Sequence, residues 1–316
     1  MTPVALVSCP ATSANLGPGF DALGLALGLR NTFRIAPSST TRIVARGGDG
    51  AGAERIPGDP AQNLVVRGFQ ATRAALGRAP VAGLDVEVEV EVPTGRGLGS
   101  SATAVVAGVL AANALAVADG APGLDSSALI DLAVAIEGHP DNVVPCALGG
   151  VCAAMRQPGG HVVHARAAPR DLPVAVAVVP LTLEKSTEAM RRLLPALVPF
   201  GDAVDTVGRL SLLLFALMSG APGAHDLLTH ALDDRLHQPY RGPAIPAFEE
   251  ARAAGRAAGA YGVVISGSGP TLLALAPDVA RGEAAGRAIV DVWARVGVRG
   301  VAKVVAIDLD GARVEV

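Results

Sequence analysis

Residues 84–92 read LDVEVEVEV. In an extended chain Val86, Val88, Val90 and Val92 share one face, and Glu87, Glu89 and Glu91 share the other. This period of two predicts a strand with one wet face, stopped by Pro93. The pattern then changes. SSATAVVAGVLAANALAVA (100–118) is apolar nearly all round, which predicts a buried helix. NLVVRGFQATRAAL (63–76) has apolar residues at helical spacing behind Asn63, a favoured capping residue. DSSALIDLAVAIEG (125–138) predicts a helix capped by Asp125 and stopped by Gly138.

Other segments are shorter. VALVSCP (4–10) predicts a strand ending at Pro10, and LPVAVAVV (172–179) another. STEAMRRLL (186–194) and residues 202–218, 244–259 and 279–295 predict helices. YGVVISG (261–267) and TLLALAP (271–277) predict two strands about a GSGP turn, and VAKVVAIDL (301–309) a last strand. No repeat is evident. One-sided strands in mixed order with helices indicate an α+β fold, not a doubly wound sheet. The pattern loosens at RQPGGH and APRDLP, so a boundary is expected near 155–170, giving units 1–160 and 161–316.

Composition narrows the classes. Of 316 residues, 50% are hydrophobic and 17% charged, with net charge −3. No basic excess asks for nucleic acid, and no acidic block suggests a disordered tail. Cys9, Cys146 and Cys152 form neither a disulfide framework nor a zinc spacing, which favours a reducing compartment. The N-terminus lacks the basic region of a signal peptide, and LSLLLFALM (210–218) is too short to span a bilayer. A soluble cytoplasmic protein without membrane or nucleic-acid partners is expected.

The candidate chemistry lies in PTGRGLGSSAT (93–103). Such a loop serves a dinucleotide, a nucleoside triphosphate or only a tight turn. A P-loop requires Lys after its last glycine. Only Lys185 and Lys303 are lysines, so that class is excluded. A Rossmann loop requires glycine where Ser100 stands, and its strand should be apolar on both faces. The order strand, glycine loop, helix still gathers backbone N–H donors at a helix N-terminus, an arrangement that binds phosphate. Serine hydroxyls there suit phosphate or Mg2+. A glycine turn with a Ser cap is the bland alternative.

Four ordered motifs resolve the choice by resemblance. Pro93, Gly97, Leu98, Gly99, Ser100, Ser101 and Ala102 match the second signature of the GHMP kinases, P-x-x-x-G-L-G-S-S-A. PATSANLGPGFDALGLAL (10–27) and EGHPDNVVPCALGG (137–150) resemble the homoserine-kinase branch, and SGSGPT (266–271) the closing glycine motif. The resemblance covers residues 4 to about 277. It implies a two-domain GHMP kinase fold, with an N-terminal domain like one of a ribosomal protein and a ferredoxin-like C-terminal domain. ATP would lie between them.

The resemblance also implies site residues. Pro93, Thr94, Gly95, Arg96, Gly97, Leu98, Gly99, Ser100, Ser101, Ala102 and Thr103 would form the ATP loop. Gly267, Ser268 and Gly269 would close on it. Asn63 would contact adenosine, or act only as a cap. Asn15, Asp21, His139, Asp141, Asn142, Thr187, Arg191 and Arg241 would bind L-homoserine. Asp21 suits its ammonium, and the arginines suit its carboxylate through paired donors. Asn142 could equally cap a helix starting at Val143. Asp141 is either a general base or a group in a base-free mechanism. Ser101 and Glu137 would hold Mg2+, Glu137 having the alternative of an exposed acid at a helix end.

Relatives usually read L-I-P-G where this chain has AIPA at 244–247, which bears on the loop near Arg241. The implied reaction is ATP-dependent phosphorylation of the homoserine hydroxyl, in threonine biosynthesis. A mevalonate-type or shikimate kinase and a silent nucleotide-binding regulator are the alternatives. The first motif with Arg191 favours an amino-acid substrate, and the intact loop disfavours the silent regulator. A homodimer is compatible with these features.

Overall fold

The computed structural model describes residues 3–48, 51–168, 172–183 and 186–316. Two sheets carry the fold. The first contains β1 (Ala5–Ala14), β2 (Leu23–Ser38), β3 (Arg42–Gly47), β4 (Gly83–Val90), β5 (Val151–Arg156) and β6 (Val162–Ala167). The second contains β7 (Val174–Pro180), β8 (Gly262–Ile265), β9 (Leu272–Ala276) and β10 (Gly300–Val305), in the order β10-β7-β9-β8. The last strand, β11 (Arg313–Glu315), returns to the first sheet and pairs antiparallel with β1.

The alternating segment behaves as its period demands. Val86, Val88 and Val90 of β4 are buried, and the glutamates between them are not. Beneath them lie α1 (Leu64–Ala75), α2 (Ser100–Ala118), α3 (Ser126–Glu137) and α4 (Pro140–Leu148). Asn63 caps α1, its Oδ1 accepting from the Val65 and Val66 N–H groups at 3.0 and 3.3 Å. Asp125 caps α3, and Gly138 ends it with a φ of 100°. By length and composition α2 is apolar enough to cross a membrane, but 61% of it is buried in this core.

The second half is built on two-sided strands. On β7, Val176 and Val178 face an outer layer of α9 (Phe248–Ala257) and α10 (Val279–Arg295). Ala175, Ala177 and Val179 face a core shared with Leu23, Leu25 and Leu27 of β2. Also in that core are Leu213 and Leu217 of α6 (Phe200–Met218). Shorter helices are α5 (Thr187–Arg191), α7 (Leu228–Ala231) and α8 (Gln238–Arg241). The shared core fixes the two sheets relative to each other, and the functional loops meet where they join.

Several expectations are corrected. Pro10 does not end β1. The strand continues to Ala14, with a register shift between Pro10 and Ala11. Residues before the shift pack in the first core, and Ala11 packs in the shared core. A break at 160/161 falls inside the β5–β6 hairpin, so the first sheet runs to Ala167 and also holds the returning β11. The expected strand 301–309 stops at Val305. Asn142 caps nothing, because α4 begins at Pro140 with His139 as its capping residue. Helix 244–259 is shorter. It starts at Phe248, after Ala247 adopts a left-handed φ of 50°.

Candidate active site

A cavity of about 330 Å3 lies between the two sheets. Its lining joins all four motifs. The glycine loop gives Thr94, Gly95, Gly97, Gly99, Ser100 and Ser101, and the closing motif Gly267 and Ser268. The first motif gives Asn15 and Asp21, and the segment leading into α4 gives His139, Asp141 and Asn142. Asn63, Glu137, Thr187, Arg191 and Arg241 complete the expected set.

The glycine loop is locked by contacts that leave no room for side chains. Gly97 has a φ of 79°, and a Cβ there would lie 2.4 Å from the Ser266 carbonyl oxygen. Gly99 has a φ of 68°, and a Cβ there would lie 1.9 Å from Thr12 Oγ1. Ser266 Oγ donates to the Gly97 carbonyl at 2.6 Å, and Thr12 N–H donates to that of Leu98 at 3.0 Å. The closing motif therefore presses on the loop, and the N-terminus of α2 opens into the cavity beside it. Its terminal N–H groups carry the partial positive charge that attracts an anion.

Some loop residues do not face the cavity. Leu98 and Ala102 are core side chains, and Pro93 is buried. Thr103 accepts from Asn31 and donates to the Ser100 carbonyl, its bonding used inside the protein. Arg96 sends its guanidinium to the carbonyls of Leu181 and Leu183, which pins the loop to the chain following β7. Gly269 supports the turn behind Gly267, donating to the Ser266 carbonyl. These six shape the loop from behind.

The first motif is strained. Asn15, Leu16 and Asp21 account for three of the four non-glycine residues with positive φ among the described residues. Asn15 stabilises this turn. Its Nδ2 donates to the Gly267 carbonyl at 2.8 Å, and its Oδ1 accepts from Asp21 N–H at 3.0 Å. Asn15 thus ties the first motif to the closing motif. The strain aims Asp21 at Arg191, which grips it with two hydrogen bonds of 2.9 and 2.7 Å. Thr187 Oγ1 lies 3.2 Å from Ser268 Oγ, so both ends of α5 touch the site.

Arg241 is only 2% exposed. It donates to the carbonyls of Met190 and Gly267 at 3.3 and 3.2 Å. Among the described residues no carboxylate pairs with it directly, although Asp21, Asp141 and Asp234 lie close enough to favour its charge. Burial, followed by repulsion from Arg191, lowers its pKa. A desolvated guanidinium without a direct counter-ion is a strong site for a carboxylate. Behind it the sequence reading missed two residues. The Phe20 ring lies 5.1 Å from Arg241, 5.7 Å from Arg191 and stacks at 5.2 Å on His237. Burial holds His237 down to about 4, so it is neutral and adds no charge beside Arg241.

Asp141 is 4% exposed. Burial raises its pKa to about 6, opposed by His139, whose Nδ1 lies 3.8 Å away. Asn142 accepts from Thr12 Oγ1 at 2.7 Å. Ser101 Oγ donates to Glu137 Oε1 at 2.5 Å. The other end of the cavity is apolar: Phe33, Ile56, Pro57, Leu64, Val65, Val88 and Ala104. No motif announced these residues. Asn63 lies there too, with its side chain already committed to capping and to the Pro57 carbonyl at 2.8 Å.

Family models match both halves: GHMP kinases N terminal domain over residues 63–150, and GHMP kinases C terminal over 214–295. A homoserine kinase of Synechococcus sp. is 46% identical over 98% of this chain and 97% of its own.

The chain belongs to the homoserine kinase family of the GHMP kinases.

A homoserine kinase of Trichormus variabilis is 42% identical over 97% of each chain. The crystal structure of homoserine kinase from Cytophaga hutchinsonii is 27% identical, with a TM-score of 0.86 over 100% of this chain and 98% of that one. The crystal structure of L. major mevalonate kinase in complex with R-mevalonate shares the fold, with a TM-score of 0.69 at 18% identity over 96% of each chain. The two-domain α+β architecture is therefore that of the GHMP kinases.

Proposed function

We propose that the protein transfers the γ-phosphoryl group of ATP to the side-chain hydroxyl of L-homoserine, giving O-phospho-L-homoserine for threonine biosynthesis. The relatives' names support this reading, and one observation in the chain carries it furthest. A phosphate-type glycine loop shares a cavity with a buried guanidinium, Arg241, that no carboxylate pairs directly among the described residues, and with the ion pair of Asp21 and Arg191.

The substrate would use these groups in order. Arg241 and Arg191 receive its carboxylate, and Asp21 its ammonium. The Asp21–Arg191 pair is half-open to solvent, at 36% exposure for each side chain, so its partners exchange without burying a bare charge. The hydroxyl then points toward the glycine loop, near Asn142 and Asp141. Its oxygen attacks the γ-phosphorus, the hydroxyl proton passes to Asp141 or to a phosphate oxygen, the bond from the γ-phosphorus to the bridging oxygen breaks, and ADP leaves with that electron pair. Positioning and charge neutralisation dominate such a transfer. The nucleoside would occupy the apolar end beside Asn63.

Mg2+ belongs to the same reading. Ser101 and Glu137 offer two adjacent oxygens at the loop, a number that suits an ion completing its shell with phosphate and water. When bound it would neutralise charge on the triphosphate. The cavity takes small molecules, and the three free, buried cysteines agree with a reducing, cytoplasmic compartment. Measuring ADP release with a panel of hydroxy-amino acids and isoprenoid alcohols tests the substrate, and omission of Mg2+ tests the ion.

A further inference from the structure

The scarcity of lysine raises a question at the phosphate end of the cavity. A nucleoside triphosphate brings several negative charges, and the cationic side chains described so far lie away from the glycine loop or point away from the cavity. Arg191 faces Asp21, Arg241 lies beneath Phe20, and Arg96 turns to backbone carbonyls away from the cavity. Among the described lining residues one guanidinium stands at the glycine loop, that of Arg55.

Arg55 ends a 3-10 turn, Ala53–Arg55. One contact ties the segment to the loop: Thr94 N–H donates to the Ala51 carbonyl at 2.9 Å, just ahead of the turn. Arg55 N–H closes the turn itself, donating to the Gly52 carbonyl at 3.1 Å. A Cβ built on Gly95, the first glycine of the loop, would lie 3.7 Å from Arg55 Nη1. The guanidinium therefore stands beside the loop backbone, next to Ile56 and Pro57 of the apolar end. Its Nε is 3.4 Å from Glu54, a side chain 73% exposed, and ion pairs this exposed are weak. Ser101 and Glu137 stand on the α2 side of the loop.

We propose that Arg55 binds the α- and β-phosphates of the nucleotide. It supplies the cationic side chain that the lysine-free loop lacks. The inference rests on the nucleotide reading above. Charge-assisted guanidinium–phosphate bonds are short and strong, so removing one has a measurable effect.

The test compares Arg55→Ala, Arg55→Lys and Arg55→Glu with the wild type. Calorimetry measures ATP and ADP affinity, and an NMR titration measures adenosine affinity. Arg55→Ala should weaken ATP and ADP about tenfold or more, an order typical of one charged contact. Adenosine affinity, the homoserine KM and the melting temperature should stay near wild type. Arg55→Lys should recover part of the loss, and Arg55→Glu should be worse than alanine. ATP affinity within twofold of wild type in Arg55→Ala would overturn the proposal, as would an equal loss for adenosine, which would move Arg55 to the ribose or base. Failure of the nucleotide reading has a different signature: the wild-type protein would bind neither ATP nor ADP.

Discussion

Arg191 and Asp21, 170 residues apart, meet through two hydrogen bonds of 2.9 and 2.7 Å. The pair joins the first motif to α5, and Arg241 lies buried beside it with no direct carboxylate partner among the described residues. A zwitterionic amino acid can divide this pair, giving its carboxylate to the arginines and its ammonium to Asp21.

The first prediction follows from that exchange. Arg191→Ala and Arg241→Ala should each raise the homoserine KM at least about tenfold, the scale of losing one partner of a charged pair. The ATP KM should change little. Arg191→Lys should also fail substantially, because an ammonium lacks the paired donors that hold Asp21. Steady-state kinetics check this; unchanged homoserine KM in both alanine variants would remove the arginines from the substrate.

Much of this was legible in the sequence, for local reasons. The β4 alternation, the Asn63 and Asp125 caps and the boundaries of α2 follow from period and capping chemistry. The site residues that were legible lie in motifs. Phe20, His237, Arg55 and the apolar end were not, because their roles come from contacts across the fold. Arg55 meets Gly95, and His237 meets Gly17 at 2.9 Å, 220 residues away. The inward turn of Arg96 was equally hidden, since it depends on carbonyls supplied by the chain after β7. Lys185 lies outside the described residues, and Lys303 sits on β10 away from the cavity lining.

The departure from the usual L-I-P-G pattern has a physical cost. Ala247 holds a φ of 50°, a left-handed conformation that costs a residue with a Cβ about 1 kcal/mol. The loop geometry is kept despite the alanine. Ala247→Gly should therefore raise folding stability by a fraction of that cost, since glycine also adds entropy to the unfolded chain. Urea unfolding measures it. A clear loss of stability would show that the Ala247 side chain contributes packing greater than the strain.

Asp141 sets a pH dependence. Burial raises its pKa to about 6, opposed by His139. If its carboxylate serves the substrate, kcat/KM for homoserine should rise with pH through a midpoint near 6. Asp141→Asn should lower activity and remove that limb. Stability should move the opposite way: the folded state keeps its proton to a higher pH, so stability declines as pH rises from the ordinary carboxylate range through about 6. A wild-type limb unchanged in the asparagine variant would assign it to another group.

Gly99 is required by Thr12 as well as by any phosphate. Gly99→Ala should reduce both stability and ATP affinity, because its Cβ would meet Thr12 Oγ1 at 1.9 Å. Combining it with Thr12→Ala should restore part of the stability, leaving contacts of 3.1 Å with Asn142 Oδ1 and 3.2 Å with Cβ at position 12. Additive losses in a double-mutant cycle would contradict the contact.

The central claim is the pairing of ATP with a small zwitterionic alcohol, and a competition in kcat/KM reads it directly. ADP release should be far more efficient with L-homoserine than with shikimate, mevalonate or the homoserine analogue lacking the amino group. If shikimate or mevalonate gives the higher kcat/KM, the substrate assignment falls, and the roles of Asp21, Arg191 and Arg241 fall with it.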